Sequence, residues 1–311
     1  MIKYITRRLA ALIPVLLGVT LIVFTLLYFT PGDPALVMLG DEATPEAIEQ
    51  VHEQLGWNDP FWVRYFNYVV DLLHGDMGMS YINNRPVFDL LIERMPKTVT
   101  LACTSAVVAV TLGIVLGVIA AVRQNSIFDN LSMLLALAGV SMPHFWQGLL
   151  LMLLFGVKLG WLPISGWGTT ANLVLPSLTI GLGSMAIIAR MTRSSMLEVI
   201  NQDYINFAKA KGQKKMAIIL GHGLRNALIP IITTIALQFG NMLGGSVITE
   251  TIFAIPGVGK LMVDSIRNGN FPVVQGGVLL IAFIYCINNL LVDVIYAFVD
   301  PRVKTSLSNE R

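Results

Sequence analysis

Few side chains here have the type and spacing that chemistry needs. The four histidines, His52, His74, His144 and His222, include no i, i+4 pair of the kind that holds a metal ion on one helix face. Gly139-Val140-Ser141 and Gly244-Gly245-Ser246 resemble half of a nucleophile turn, but Met142 and Val247 follow where a second glycine belongs, and no His or Asp is placed beside them. Gly257-Val258-Gly259-Lys260 comes nearest to a phosphate-binding loop, yet it lacks the upstream glycine and is followed by Leu261. These absences argue against hydrolysis and against nucleotide binding by this chain. What remains are polar groups set inside apolar runs: His144 after Pro143, Asn241, Glu250 at the end of its run, and Asn288, Asn289 and Asp293 in the last run. A polar group at membrane depth marks a path or a partner. His144, Asn241, Glu250 and Asn288 are therefore candidates for a translocation path or its gate. Asp293, about 10 Å from the helix end at a rise of about 1.5 Å per residue, is expected to pair with Arg190 or Arg193.

The elements that position these groups follow from composition. Hydrophobic residues make up 55% of 311 and charged residues 13%, with 21 Lys and Arg against 19 Asp and Glu and a mean hydropathy of +0.69. A soluble domain carries about 25% charged residues, so this is an all-α integral membrane protein. A net charge of +2 gives no basic patch for nucleic acid. Cys103 and Cys286 both fall inside apolar runs and read as buried free thiols. Six charge-free stretches are long enough to span a bilayer: Leu9 to Gly32, Thr98 to Val122, Asn130 to Val157, Leu159 to Ala189, Asn226 to Thr249 and Asn268 to Val292. The fourth is broken by Trp161, Pro163 and several glycines, so its helix is expected to start near Leu173. The last is expected to start near Pro272 and to run on to about Val299.

Basic residues near the span ends give the orientation. Lys3, Arg7 and Arg8, then Arg123, the 190–225 segment with seven Lys or Arg, and Arg302, Lys304 and Arg311 share one side, so both termini are expected to be cytoplasmic. The apolar run after MIKYITRRL is too long for a cleaved leader and has no small-x-small site before Pro31, so it reads as an uncleaved anchor. The expected organisation is a cytoplasmic start over 1–8, a first span over 9–29, an extracytoplasmic loop over 30–97, a core of five spans over 98–305 and a tail over 306–311. The outer loop holds eleven Asp or Glu and four Lys or Arg between Pro31 and Lys97. Within it Ile48, Val51, Leu55 and then Trp62, Tyr65, Phe66, Val69, Leu72 recur at helical spacing, which predicts two amphipathic helices joined by Gly56 to Pro60 and resting on the membrane or a partner. Pro256, Gly257 and Gly259 predict a turn, with Val258, Leu261, Met262 and Ile266 on a short surface helix. Gly240, Gly244 and Gly245 form a small-residue face suited to close helix packing.

The cytoplasmic loop over about 197–225 is the most informative stretch. Asp203 starts a helix whose expected apolar face is Tyr204, Phe207 and Ala208, Gly212 permits a tight break, and a second short helix carries Met216, Ile219 and Leu220. Such an element is suited to docking in a groove on another protein or to lying on anionic lipid. It resembles the EAA loop of permease subunits in ATP-binding-cassette importers. Ala208 stands at the last alanine of Glu-Ala-Ala, Gly212 at the following glycine and Leu224 at the leucine of Ile-x-Leu-Pro, while Asn206, Phe207, His222 and Arg225 depart from that pattern. Those departures are similar to the peptide and nickel branch, matched by Asp203, Tyr204, Ala210, Lys211, Gly212, His222, Leu224, Arg225, Asn226, Ala227 and Pro230. The resemblance continues through PGDP at Pro31, GDMGMS at Gly75, RPV at Arg85, SMP at Ser141, RMTRSSMLEV at Arg190, ETIFAIPGVG at Glu250, FPVVQGG at Phe271 and VDPR at Val299.

The resemblance implies a six-helix type I importer permease in the cytoplasmic (inner) membrane of a bacterium. It implies a second homologous permease, two ATPase subunits that bind ATP and Mg, an extracytoplasmic substrate-binding protein and a di- or oligopeptide substrate, with no cofactor on this chain. Nickel chelate or glutathione are the alternative cargoes within the branch. A self-sufficient ion-coupled carrier or channel would instead need discontinuous spans in two repeated halves, and no such repeat is visible.

Overall fold

The computed structural model describes residues 2–40 and 42–299. Arg302, Lys304 and Arg311, used above for orientation, and the expected tail over 306–311 lie outside the described residues. The described chain is helical, with a single antiparallel bridge between Met79 and Pro86. In order it forms α1 (Ile2–Tyr28), α2 (Pro34–Leu39), α3 (Pro45–Leu55), α4 (Phe61–Leu73), α5 (Val87–Val122), α6 (Ile127–Ser141) and α7 (His144–Leu151), which runs into a π-helical turn (Met152–Lys158). There follow α8 (Ala171–Ile200), α9 (Asp203–Ala210), α10 (Lys215–Ala217), a second π-helical turn (Ile218–Leu224), α11 (Arg225–Ile252), α12 (Val258–Arg267) and α13 (Phe271–Val299).

Among the described residues five helices are long and apolar enough to cross a bilayer: Arg8–Tyr28, Val87–Val122, Ala171–Ile200, Lys215–Ile252 and Phe271–Val294. The sixth candidate is α6 with α7, bent by 107°. A kink at Pro143 is expected within the charge-free stretch from Asn130 to Val157, and the structure makes it a full break. Pro143 forces Met142 out of the helical region (φ −89°, ψ 130°), and helix resumes only when the Gln147 amide finds the Pro143 carbonyl at 3.0 Å. Cys103 and Cys286 are free thiols as expected, but Cys103 is exposed.

The chain divides into two compact units, one running up to Thr98 together with Ile255–Cys286, the other formed by Val99–Ala254 and the stretch from Ile287. In the first unit the segment between α1 and α5 is folded. Thr44 caps α3 through the Ala47 amide at 3.4 Å, and Gly56 ends it with φ +59°. Instead of only resting on a surface, α4 packs on α1: Tyr65 is buried, its hydroxyl donates to the Leu17 carbonyl at 3.2 Å, and its ring meets Phe24 at 5.5 Å. Trp62 and Phe66 on the same helix stay exposed. The core of this unit gathers Val87, Leu91, Val258, Met262 and Val273 from α5, α12 and α13. The expected surface helix is thus a core helix, since Val258 and Met262 are buried and only Ile266 faces out. The Val258 amide also donates to Thr98 Oγ1 at 2.9 Å.

In the second unit α8 is central, packed by α6, α7 and α11. Its buried positions include Ser177, Thr179, Gly181, Gly183, Ser184, Ala186 and Ala189, small residues that let neighbouring backbones approach where lipid supplies no hydrophobic drive. A charged clasp ties α6 to α8. Arg193 Nε and Nη2 donate to Asp129 Oδ1 and Oδ2 at 2.7 and 2.8 Å, and the Asn125 amide donates to Oδ2 at 3.0 Å.

Candidate functional site

Two places in the second unit collect the residues singled out above. The first is the loop between α8 and α11. In α9 the apolar side chains split between two faces. Ile205 and Ala208 are buried against Ile218 and Val199, while Tyr204 and Phe207 stand exposed at 43% and 62%. This corrects the expected single face of Tyr204, Phe207 and Ala208: at about 100° per residue, Ile205 and Ala208 share the inward side and Phe207 falls outward. Asp203 lies in the first turn, where a carboxylate complements the helix dipole. Ala210 and Lys211 end the helix, and Lys211 Nζ lies 4.6 Å from the centre of the Phe207 ring.

Gly212 follows with φ +73°, and its amide donates to the Lys209 carbonyl at 3.0 Å. A Cβ there would meet nothing within 4 Å, so the constraint on this position is conformational. The expected second short helix is instead the root of α11: α10 and the π-helical turn run without a break into it. Polar bonds fix α9 to this root. Asn226 Nδ2 donates to the Tyr204 hydroxyl at 3.2 Å and to the His222 carbonyl at 2.9 Å, and His222 Nε2 donates to Gln213 Oε1 at 2.9 Å. Leu224 joins the apolar cluster of Met196, Ile219 and Ile231, and Arg225 is exposed. The sequence-predicted loop residues are therefore brought together, with Tyr204 and Phe207 facing out from a rigid base.

The second place is an open cavity of about 230 Å³ among α6, α7, α8 and α11, lined by the polar side chains His144, Ser184, Gln238 and Asn241. His144 Nδ1 faces the Thr179 carbonyl at 3.3 Å. A carbonyl only accepts, so Nδ1 carries a proton and donates it to Thr179. The imidazole lies on Gly183, where a Cβ would stand 2.6 Å from Cε1. Ser184 Oγ donates to Gln238 Oε1 at 3.3 Å. The walls present donors and acceptors with no Asp, Glu, Lys or Arg among them, suited to amide and carbonyl groups.

Gly245 also lines this cavity, and a Cβ at Gly244 or Gly245 would meet nothing within 4 Å, so within this chain that face is open instead of packed. Glu250 is fully buried near the end of α11, outside the cavity lining. Asn288 Nδ2 donates to the Ala236 carbonyl at 3.1 Å, a bond between α13 and α11. For Arg193 the expected carboxylate was Asp293, yet Asp129 holds its fork; Arg190 is exposed and Asp293 is half-buried. Sequence reading missed Asp129, Ser184 and Gln238. Asp129 is signalled by Ser126 three residues earlier, a capping-box spacing realised as Ser126 Oγ accepting from the Asp129 amide at 3.4 Å. Gln238 is signalled by its i, i+3 relation to Asn241. Among the described residues no three His, Cys, Asp or Glu are grouped to hold a metal ion.

Comparison with known proteins covers almost the whole chain. Residues 1–102 match the N-terminal part of binding-protein-dependent transport system membrane components, and residues 113–305 match the family described as binding-protein-dependent transport system inner membrane component. The dipeptide transport system permease protein DppB of Alkalihalophilus pseudofirmus is 42% identical over 98% of this chain and 100% of its own length. The glutathione transport system permease protein GsiC of Escherichia coli is also 42% identical, over 98% and 99%. Among solved structures, the MetNI methionine ABC transporter in an inward-facing conformation shares the fold, with a TM-score of 0.58 at 20% identity over 68% of this chain and 97% of that one. The buried small-residue spine of α8, the helix-turn loop after it and the family match coincide in the same residues, and the chain belongs to the inner membrane components of binding-protein-dependent transport systems.

Proposed function

We propose that this chain is the membrane-spanning permease of an ATP-driven importer of short peptides, sited in the cytoplasmic membrane with both termini cytoplasmic. It works with a second related permease, two ATPase subunits that carry ATP and Mg, and an extracytoplasmic binding protein. The observation that carries the reading is α9: an exposed Tyr204 and Phe207 above a buried Ile205 and Ala208, followed by the Gly212 turn. A helix that buries one apolar face and leaves an aromatic one unpartnered is built to enter a groove. Closure of the ATPase pair would move α9, and its bonds to Asn226 and Gln213 would carry that motion into α11. The lining of the cavity among His144, Ser184, Gln238 and Asn241, without Asp, Glu, Lys or Arg, suits peptide amides, and one relative is named for dipeptides and another for glutathione, itself a tripeptide.

The test is uptake of a radiolabelled dipeptide in cells carrying the whole system, with wild type, Phe207→Ala and Gly212→Asp. Both variants should insert normally, lose uptake and fail to retain the ATPases in a mild-detergent pull-down. Uptake at the wild-type rate in Gly212→Asp would refute the role of the loop, and wild-type cells that take up no peptide would refute the cargo.

A further inference from the structure

The first unit holds a larger cavity, of about 500 Å³, between the end of α1, α4 and the segment from Asp76 to Asn84. That volume is within the range of about 300–1,000 Å³ typical of small-molecule sites. Its cation is Arg64. The guanidinium carbon lies 4.1 Å from the centre of the Trp57 ring and 5.2 Å from that of Tyr28, and Nη1 donates to the Trp57 carbonyl at 3.2 Å. Clamped between two rings and tied at one nitrogen, the fork is fixed in direction. Among the described residues that is its one hydrogen bond, and Nε and Nη2 keep their donors.

Three carboxylates, Asp59, Asp71 and Asp76, share the lining with this one cation. Asp76 is held in place by the Gly78 amide, which donates to Oδ1 at 2.7 Å. The charges decide the class of ligand. An anion would face three carboxylates, and among the described residues the acids are not grouped to hold a metal ion. Asp59 acts on the Arg64 charge from within the lining, which leaves Asp71 and Asp76 in excess, while a purely cationic ligand would leave the Nε and Nη2 donors unused. Burial pushes the phenols of Tyr68 and Tyr81 above their ordinary range, so both stay O–H donors across physiological pH.

We infer that this cavity binds a short zwitterionic peptide, its carboxylate on the Arg64 fork and its free ammonium on Asp71 and Asp76, with a side chain against the aromatic wall. The inference rests on the peptide reading above and adds a second holding place, outside the cavity of α8 and α11. A bidentate guanidinium–carboxylate contact selects for a free C-terminus, and two acids on the same lining select for a free N-terminus.

The probe is L-alanyl-L-alanine, with its N-acetyl and C-amide derivatives, titrated calorimetrically into the full-length chain in nanodiscs without partner subunits. Saturable binding is expected, weakened tenfold or more by either block. Arg64→Gln should remove the difference between free and amidated peptide, and Asp71→Asn with Asp76→Asn should remove the difference between free and acetylated peptide. Arg64→Lys, which keeps the charge between the rings, controls for folding and should retain partial selectivity for the free C-terminus. Absence of saturable binding to wild type, or blocks and substitutions that leave affinity unchanged, would overturn the inference. The same dipeptide is followed in the uptake assay: uptake without cavity binding overturns this inference alone, whereas neither uptake nor binding removes the peptide reading with it.

Discussion

Removing the carboxylate of Asp129 should destabilise the second unit. Asp129 is 2% exposed and answers both Nε and Nη2 of Arg193 while accepting from the Asn125 amide. Breaking a buried pair by removing one partner costs about 3–5 kcal/mol, because the other charge is left uncompensated. The Arg193 side chain is 28% exposed, so water or lipid headgroups recover part of that cost. The expectation for Asp129→Ala is therefore near the lower end, about 3 kcal/mol, or roughly a hundredfold in the folded ratio at about 1.4 kcal/mol per decade. Asp129→Asn keeps a polar cap on α6 and should cost less.

The assay is a double-mutant cycle on purified protein in mild detergent, comparing wild type, Asp129→Ala, Arg193→Gln and the double variant by reversible unfolding. A genuine pair predicts a double variant clearly less damaged than the sum of the two singles, with a coupling of at least about 1 kcal/mol. Strict additivity would refute the reasoning and reduce the contact to coincidental proximity.

Gly183→Ala should act through His144. Its Cβ would stand 2.6 Å from the imidazole Cε1, so the ring must leave its place by the Thr179 carbonyl. Peptide uptake should fall through a raised KM, with the thermal midpoint lowered only slightly; normal uptake kinetics would remove His144 from the path. Asp33 caps α2 and meets His52 Nε2 at 2.7 Å. Burial works to raise its pKa, but the hydrogen bonds from His52 and the Ala35 amide outweigh it, and the carboxyl titrates below its ordinary 3.8. A depressed folded value means the contribution to stability is complete above about pH 4 and is lost as pH falls through the folded value. The segment from α2 to α4 should become protease-sensitive in that acid range, and Asp33→Asn, which keeps a capping side chain, should flatten the dependence. An unchanged acid profile in Asp33→Asn would contradict it.

Helices were legible where their signals are local. Thr44 and Gly56 bracket α3, and the run from Trp62 to Leu72 predicted α4, because caps and 3.6-residue periodicity report on the chain's own backbone. The loop of α9 was legible in position but not in facing. Composition says that Tyr204, Phe207 and Ala208 are apolar, while only packing against Ile218 and Val199 says that Ile205 and Ala208 turn inward. The same limit explains α12. Its Val258 and Met262 read as a surface stripe, since nothing local reveals that α5 and α13 supply the other side of a core. Asp129 as the partner of Arg193 was not legible for a related reason: Asp293 and Asp129 are both acids near span ends, and sequence separation does not tell which one the Arg193 fork meets.

One further prediction concerns how α11 joins the two sites. Lys215–Ile252 spans 38 residues, about 57 Å at about 1.5 Å each. Its root carries His222 and Asn226, and Gln238 and Asn241 line the cavity further along. The π-helical turn at Ile218–Leu224 sits at the root and holds one residue more per turn than an α-helix would. That extra residue sets the phase between the α9-facing and cavity-facing sides, so that Ile218 packs under α9 while Ile219 enters the cluster of Met196 and Ile231. Gly221 is exposed with nothing within 4 Å of its Cβ position, so a residue added beside it meets open space. Inserting one alanine after Gly221 adds a residue that the turn, already holding one in excess, does not absorb, and should rotate Lys215–Gly221 by about 100° against the rest. Ile218 then leaves Ile205 and Ala208, and the exposed Tyr204 and Phe207 lose their rigid base. Helix content by circular dichroism and insertion should be retained while the ATPases are no longer recovered in a pull-down. An insertion variant that keeps its ATPases and its uptake would show that the phase of this turn does not matter, and that α9 reaches α11 by some other contact than the one through Ile218.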